Sequence, residues 1–370
     1  MKYLVMKFFK NFIIITLLVL ILDLFINLIL PEKLKKKIGT SRNYSLKSDK
    51  FHHSIAANIN VYEFWGKKKY KVKTNELSMR IGENDNFFID RSKKNIGFIG
   101  DSFVYGSGID YRDHFISQIK KSNYNFLNLG YVSYSPSIYY KLIKNIIEEK
   151  KISFEKIFIF IDHSDIQDEA QFYREDKKGN IVRKWLEDNQ VETKNRKYKV
   201  KNYLKQNSFI FKFYENISAP TISNNTQKCI QKTNVINYKN YLDSKRFGYS
   251  YYDKIVDQKW VKEGINKSLD YLNKIKSLSK KYKFEIIIVN YPSALEVIDE
   301  INSENSKHFK FLNEWSLNNK VVLIDTRDDF IIENKPNNYL NNFIPCDVHW
   351  NKNGHLIISK NINHYINEKN

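Results

Sequence analysis

The chain has 370 residues, enough to bury the core of one large domain or of two small ones. Its 61 Lys and Arg residues against 41 Asp and Glu residues give a formal net charge of +20, which alone would suggest a nucleic-acid partner. The basic residues are spread along the chain, however, and no zinc-ligand spacing, helix-turn-helix pattern or RNA-binding aromatic signature accompanies them. We therefore predict no nucleic-acid partner.

The N-terminus predicts a membrane anchor. A short basic tail, residues 1–10, precedes an almost wholly apolar run at residues 11–30, and this run has the ~20 residues that cross a bilayer core. A cleaved signal peptide is the alternative, but Pro31–Lys37 offers no small residues for a cleavage site. We predict an uncleaved, single-pass anchor in the inner (cytoplasmic) membrane, with the lipid bilayer as a partner of residues 11–30.

Two sequence features disagree about the orientation of this anchor. The basic residues that follow it outnumber those that precede it, which would keep the C-terminal side in the cytoplasm. A short basic N-terminus before an apolar run is nevertheless typical of an exported signal-anchor. We predict that the rest of the chain lies on the outer, periplasmic side.

An α/β domain is predicted at residues 95–370, after a β-rich, membrane-proximal lead-in at residues 31–94. Short apolar runs enriched in Ile, Val or Phe are the strand candidates: Ile96–Gly100, Phe126–Leu129, Lys156–Asp162, Phe284–Asn290 and Val321–Asp325. Amphipathic helical patterns alternate with these runs: residues 138–147, 260–281 and 354–366. This alternation predicts a parallel sheet with helices on both faces.

A polar segment at about residues 171–250 interrupts the alternation. It is rich in Lys, Asn and Tyr, and it contains one helical pattern near Tyr203–Tyr214. We interpret it as an insertion that caps one end of the sheet. The two cysteines, Cys229 and Cys346, are far apart in sequence; a single disulfide is compatible with an oxidising compartment, and two free thiols are the commoner case.

The first candidate site follows the first predicted strand of the α/β domain. The run Asn95–Ile99 ends abruptly in Gly100, Asp101 and Ser102. This pattern places one serine in a turn at the carboxyl end of a buried strand, which is where open α/β sheets bind ligands. Serine is a weak nucleophile until an adjacent base takes its proton, so a catalytic Ser102 would need a histidine.

The second candidate site lies near the C-terminus, just before the last predicted helix. Asp347 stands two residues before His349. A loop with this spacing can orient the imidazole and fix its tautomer while the ring faces a nucleophile. For His349 alone, an ordinary loop histidine at the start of a helix is the open alternative.

Taken together, the two stretches resemble the SGNH/GDSL hydrolase family. The resemblance is carried by Gly100–Phe103 after the first strand and by Asp347–Asn351 near the C-terminus, and Asn128–Tyr131 and Asp162–Asp165 also stand where the family has motifs. It is nearest to the membrane-anchored bacterial branch with alginate O-acetyltransferase-like members. The resemblance implies a flavodoxin-like three-layer α/β/α sandwich and a serine mechanism on esters.

The resemblance also implies a role for each matching residue. Ser102 would be the nucleophile, His349 the general base and Asp347 the acid that orients His349. The backbone N–H groups of Ser102 and Gly130 would line an oxyanion hole, where each donor is worth about 3 kcal/mol of barrier.

Two positions depart from the family pattern. The family's acid usually stands three residues before the histidine, where this chain has Cys346. The family's oxyanion Asn is replaced by Ser164, whose hydroxyl could supply one hydrogen bond as a third donor.

Other polar and aromatic residues near these motifs have weaker interpretations. Tyr105 and Tyr131 flank the site in sequence and are candidates for a substrate pocket. The acids after the third strand, Asp162, Asp165, Asp168 and Glu169, are interpreted as hydrogen-bonding groups at the rim rather than as a metal site. His355 is interpreted as a structural residue of the last helix. We predict no metal and no cofactor.

The leading functional hypothesis is a membrane-anchored serine esterase that acts on acyl esters, in particular acetyl esters, of a cell-envelope carbohydrate. An O-acetyltransferase of a surface polysaccharide, supplied by a membrane acyl-donor protein, would use the same Ser-His-Asp residues. A non-catalytic carbohydrate-binding or assembly protein on the same fold is the second alternative.

Overall fold

A computed structural model describes residues 2–29, 44–65, 68–119, 123–184, 208, 210, 259–301, 303–331 and 338–368. The chain divides into two compact units. One comprises Met1–Tyr44 and Leu186–Thr221, and the other comprises Ser45–Trp185 and Ile222–Asn370.

In the smaller unit, the described residues include a long helix, α1, at Lys2–Ile29. Apolar side chains such as Phe12, Ile21 and Phe25 are exposed along it, whereas Asp23 is buried and accepts the backbone N–H of Ile210 at 2.7 Å. Several side chains of α1 lie outside the described residues, and within the described part of the chain no helix is long and apolar enough to cross a membrane.

The strands of the larger unit fall into two groups along the chain, one before and one after the serine motif. The first group precedes the serine motif: β1 Ser45–Ser48, β2 His52–Ile55, β3 Asn60–Trp65, β4 Lys68–Thr74, β5 Arg80–Ile81 and β6 Lys94–Ile99. The second group follows it: β7 Tyr124–Asn128, β8 Lys156–Phe160, β9 Tyr173–Glu175, β10 Ile181–Arg183, β11 Glu285–Asn290 and β12 Val322–Asp325.

Eight of these strands form one sheet in the order β12-β11-β8-β6-β7-β5-β4-β3. The five strands from β12 to β7 are parallel. Numbered in chain order from β6, they run 2-1-3-4-5 across the sheet, which is the flavodoxin-like order. The predicted α/β class with a parallel sheet is confirmed, and each predicted strand end lies within two residues of the observed one.

The lead-in continues this sheet beyond β7. Strands β5, β4 and β3 pair antiparallel with β7 and with one another, so that Trp65 at the end of β3 belongs to the same sheet as the serine motif. A separate hairpin, β1 with β2, and a second hairpin, β9 with β10, are joined by a bridge between Phe51 and Ile181.

Helices cover the sheet. They are α2 Ser102–Tyr105, α3 Pro136–Glu148, α4 His163–Gln167, α5 Lys259–Tyr282, α6 Ala294–Ile298, α7 Lys307–Asn319, α8 Arg327–Phe330, α9 Asn338–Asn342 and α10 Lys352–Glu368. Phe98, Phe158 and Ile287 share one buried cluster with Ile358 and Ile362 of α10. Their neighbours along the strands face the other side of the sheet and are equally buried, while α3 and α5 pack on each other.

Most of the predicted insertion lies outside the described residues, including Cys229 and, apart from residues 208 and 210, the helix predicted near Tyr203–Tyr214. Its described beginning forms β9 and β10. Cys346 is disulfide-bonded. Of the two possibilities that the sequence left open, a disulfide is therefore the one observed at Cys346.

Candidate active site

Ser102 lies at the carboxyl end of β6, where the chain turns directly into α2. A Cβ atom on Gly100 would lie 2.4 Å from Val104 Cγ2 and 3.0 Å from Phe160 Cβ, so glycine allows α2 to fold back tightly onto the sheet. Asp101 caps the helix, because its Oδ1 accepts the Phe103 N–H at 2.9 Å. The next two parallel strands of the chain, β7 and β8, lie on opposite sides of β6. Ser102 therefore stands at the switch point of the strand order, where ligands bind in such sheets.

The structure brings Ser102, His349 and Asp347 into one hydrogen-bonded chain. Ser102 Oγ lies 2.8 Å from His349 Nε2, although 247 residues separate them in sequence. His349 Nδ1 lies 2.5 Å from Asp347 Oδ1, which also accepts the His349 backbone N–H at 2.9 Å. Burial lowers the pKa of His349, but the charge and hydrogen bond of Asp347 outweigh it, so the pKa is raised above its ordinary value.

A tight loop before α10 makes the two-residue spacing of Asp347 and His349 workable. The Asp347 N–H donates to Ile344 O at 3.0 Å, and the Ile344 N–H donates to His349 O at 2.9 Å. The Tyr339 hydroxyl donates to Asp347 O at 2.8 Å. These bonds fold the loop so that the acid and the imidazole of a short Asp-x-His segment face each other.

Trp65 is a site residue that the sequence reasoning missed. Its indole N–H donates to Asp347 Oδ2 at 2.9 Å, and its ring meets the His349 ring edge-on with centroids 4.9 Å apart. Trp65 and Asp347 are 282 residues apart. No local pattern in the lead-in marks this tryptophan, so only the sheet extension reveals the contact.

The oxyanion donors differ from the expectation at Gly130. Its N–H donates to Asn128 Oδ1 at 3.0 Å, and Asn128 Nδ2 in turn donates to Val104 O at 2.8 Å. The Gly130 N–H is therefore engaged within its own turn in this structure. The Ser102 N–H stands at the first position of α2, where a backbone N–H has no acceptor within the helix.

Ser164, the predicted third donor, also points elsewhere. Its hydroxyl donates to Asp101 Oδ2 at 3.4 Å, and its backbone N–H is taken by Asp162, the residue that caps α4. Asp101 Oδ2 lies 3.0 Å from Ser102 Oγ as well. The Ser164 hydroxyl thus faces a carboxyl group beside the nucleophile rather than open space.

A buried cluster of three carboxyl groups surrounds this point. Asp101, Asp162 and Asp165 each offer an oxygen within 4.8 Å of the others. Burial, together with repulsion from Asp162, raises the pKa of Asp101 to about 7, and burial also raises the pKa values of Asp162 and Asp165. Carboxylate oxygens are ligands for hard cations, but groups with raised pKa values can equally share protons, as they do in carboxyl pairs.

The two other acids of the predicted rim, Asp168 and Glu169, have different surroundings. Burial, together with repulsion from Asp101 and Asp162, raises the pKa of Asp168 well above its ordinary value. Glu169 serves α3, because its Oε1 accepts both the Ser135 hydroxyl and the Ser137 N–H at 2.6 Å. It also pairs with Lys267 at 3.0 Å, so Glu169 holds two helices together.

The two tyrosines predicted for a substrate pocket are buried. Tyr105 is 1% exposed, and its hydroxyl donates to Glu63 at 3.2 Å. This placement contradicts the expectation for Tyr105, which is a core residue. Tyr131 is 6% exposed and lines a small pocket that also includes Met79 and Gly130. His355 is buried in α10 and accepts the Phe115 N–H at 3.4 Å.

Comparisons with known proteins give weak similarity only. No protein-family profile matches the sequence, and no curated protein is similar to it. Among solved structures, the chain is similar to a member of the lipolytic protein G-D-S-L family from Veillonella parvula DSM 2008, with 13% identity and a TM-score of 0.35 over 72% of this chain and 95% of that one. It is also similar to the acetyl xylan esterase AlAXEase, with 12% identity and a TM-score of 0.39 over 72% and 97%.

A third similar structure is the lipase/acylhydrolase from Enterococcus faecalis, with 10% identity and a TM-score of 0.36 over 75% of this chain and 96% of that one. One of these three structures is a member of the G-D-S-L family, which the two motifs of this chain resemble. Identities and TM-scores this low carry no argument about activity, so the functional inference rests on the geometry of the site.

Proposed function

We propose that this protein is a serine-dependent esterase of the SGNH/GDSL type. The single observation that carries the proposal is the continuous hydrogen-bonded chain from Ser102 Oγ through His349 to Asp347, with distances of 2.8 and 2.5 Å. Nucleophile, base and orienting acid in that order are the requirements for activating a serine hydroxyl. The site stands at the sheet's switch point, where a substrate has access to the carboxyl ends of the strands.

The proposed reaction proceeds through an acyl-serine. His349 Nε2 accepts the proton of Ser102 as Oγ attacks the ester carbonyl, and Asp347 stabilises the imidazolium that forms. The Ser102 N–H faces the developing oxyanion. Collapse releases the alcohol, which takes the proton from His349, and a water molecule then attacks the acyl-serine by the same steps in reverse to release the acid.

The proposed substrate class is an acyl ester, in particular an acetyl ester, of a cell-envelope carbohydrate. This part of the proposal is supported by the resemblance of the motifs to the branch of the family that modifies polysaccharides. The test incubates the purified full-length chain with a chromogenic acetyl ester and with an acetylated glycan. Release of acetate that is lost in Ser102→Ala supports the proposal, and release that survives this substitution refutes it.

An O-acetyltransferase is the second candidate, because transfer would use the same Ser-His-Asp residues. The Gly130 N–H and the Ser164 hydroxyl both have other partners, and this affects hydrolysis and transfer alike because both reactions form the same kind of oxyanion. Transfer would use the same acyl-serine, with a sugar hydroxyl in place of water and a membrane protein as acyl donor. Adding an acceptor glycan to the assay separates the two, because transfer places the acetyl group on the glycan and hydrolysis leaves free acetate.

We further propose that residues 11–30 anchor the chain in the cytoplasmic membrane, with the α/β domain on its outer side. The support for anchoring is the apolar sequence of residues 11–30 and the apolar side chains exposed along α1, whereas the helices in the described part of the chain do not by themselves meet the requirements of a membrane span. The disulfide at Cys346 supports an oxidising compartment. Membrane fractionation tests the anchor, and a chain that fractionates with the cytosol refutes it. Protease digestion of spheroplasts tests the orientation, and an α/β domain that is protected from the protease refutes the outer side.

A further inference from the structure

We propose that Trp65 is a positioning residue for the acid of the site, holding Asp347 in the orientation that His349 requires. The inference rests on the proposed esterase function. It assigns a role in the site to the lead-in, which lies outside the parallel core of the sheet.

The two oxygens of Asp347 divide their hydrogen bonds between two parts of the chain. Oδ1 accepts both the ring Nδ1–H and the backbone N–H of His349, and Oδ2 accepts the Trp65 indole N–H at 2.9 Å. In the described residues, Trp65 is the donor that reaches Oδ2. A hydrogen bond to an ionised carboxylate is among the stronger ones in proteins, so Trp65 fixes the rotation of this carboxylate about its side chain.

The indole ring is also packed for this role. It meets His349 edge-on at an interplanar angle of 87°. It also lies against Gly108, where an added Cβ would approach Trp65 Cδ1 to 2.8 Å. Gly108 has a φ of 77°, which a side chain would disfavour. Glycine therefore serves two needs at this position, a left-handed turn and space for the tryptophan.

The position of Trp65 in the fold makes the contact stable. Trp65 is the last residue of β3 and pairs with Lys68 of β4. Through β4 and β5 this strand is hydrogen-bonded to β7, in the same sheet as β6 and Ser102. The Trp65 indole N–H is thus carried by a strand of the sheet rather than by a free loop. It holds Asp347 from outside the loop that contains Asp347 and His349.

The consequence concerns the imidazolium that forms during catalysis. Asp347 stabilises it only while Oδ1 is directed at Nδ1. Without the Trp65 N–H, the carboxylate, which is 20% exposed, is free to turn toward water. The pKa of His349, which Asp347 raises, would then fall.

The test replaces Trp65 by 3-benzothienylalanine in the full-length chain, which keeps the shape of the ring and removes only the N–H. Trp65→Phe is the simpler companion variant. We expect kcat for a chromogenic acetyl ester to fall about ten- to hundredfold in both, with KM within twofold and the acid limb of the pH profile moved to lower pH. Tyr62→Phe, an exposed position on the same strand, is the control.

A double-mutant cycle with Asp347→Asn decides whether Trp65 acts through the acid. The inference expects Trp65→Phe to change kcat by less than twofold in the Asp347→Asn background. Multiplicative losses, or a benzothienylalanine variant with unaltered kcat and pH profile, would overturn it. Activity that survives Ser102→Ala would instead refute the proposed function, so the two failures are distinguishable.

Discussion

Asp101 Oδ2 lies 3.0 Å from Ser102 Oγ, on the residue immediately before the proposed nucleophile. The Ser102 hydroxyl therefore has two acceptors within reach, this carboxyl group and His349 Nε2. Only the bond to His349 leads to proton transfer. A protonated Asp101 would leave the hydroxyl to His349, whereas an ionised one competes for it, so the charge of Asp101 bears on both stability and activity.

The first prediction concerns Asp101 and the pH dependence of stability. Its pKa in the folded chain is about 7, raised from 3.8 by burial and by Asp162. Between these values the folded state binds the proton more tightly than the unfolded state, so this group stabilises the fold at low pH and loses that contribution as pH rises toward 7. In thermal unfolding, the Tm of Asp101→Asn minus the Tm of the wild type should increase as pH rises from 4 toward 8.

Asn at this position keeps an acceptor for the Phe103 N–H and cannot ionise, so the comparison isolates the charge. Asp270→Asn, at an exposed position on α5, controls for the loss of one surface charge. A Tm difference between Asp101→Asn and the wild type that stays constant across this range would count against a raised pKa at Asp101.

The second prediction concerns Asp347. Replacing it by Asn removes the charge that raises the pKa of His349, and it favours the wrong imidazole tautomer. We expect kcat to fall on the order of 10³-fold or more. Since catalysis requires neutral His349, the acid limb of kcat/KM should also move to lower pH. A pH–rate profile with an unmoved limb would show that another group sets it; Asp113→Asn, on a partly exposed carboxylate, is the matched control.

The third prediction concerns Ser164. Because its hydroxyl donates to Asp101, Ser164→Ala should lower kcat by less than about threefold, whereas losing a true oxyanion donor costs about 10²–10³-fold. Steady-state kinetics on a chromogenic acetyl ester measure this. A hundredfold loss in a variant that melts like the wild type would restore Ser164 to the oxyanion hole.

Much of the fold could be predicted because its strands are determined by short stretches of neighbouring residues. The parallel strands are short runs of buried Ile, Val and Phe, and such runs leave a clear pattern in any sequence. The site's three central residues were predicted because Gly-Asp-Ser and Asp-x-His each lie within a few residues. The sequence alone did not establish their 2.8 Å contact, since it depends on β6 and α10 meeting at one end of the sheet.

The features that were missed depend on contacts between distant segments. Trp65 reaches Asp347 only because β3 extends the sheet. Tyr105 was expected near substrate because it follows Ser102 closely, yet α2 turns its side chain inward to Glu63. Asn128 Oδ1 accepts the N–H of Gly130, two residues further along the chain. This interaction is local, but the family motif assigns a role only to the glycine.

The central claim is that His349 activates Ser102 as a nucleophile, and labelling by a fluorophosphonate tests it most directly. Peptide mapping of the labelled full-length chain should place the adduct on Ser102. Labelling should be lost in Ser102→Ala and strongly slowed in His349→Ala, but kept in Ser107→Ala, a buried serine of the following turn. No adduct on Ser102, or equal labelling rates with and without His349, would contradict the account.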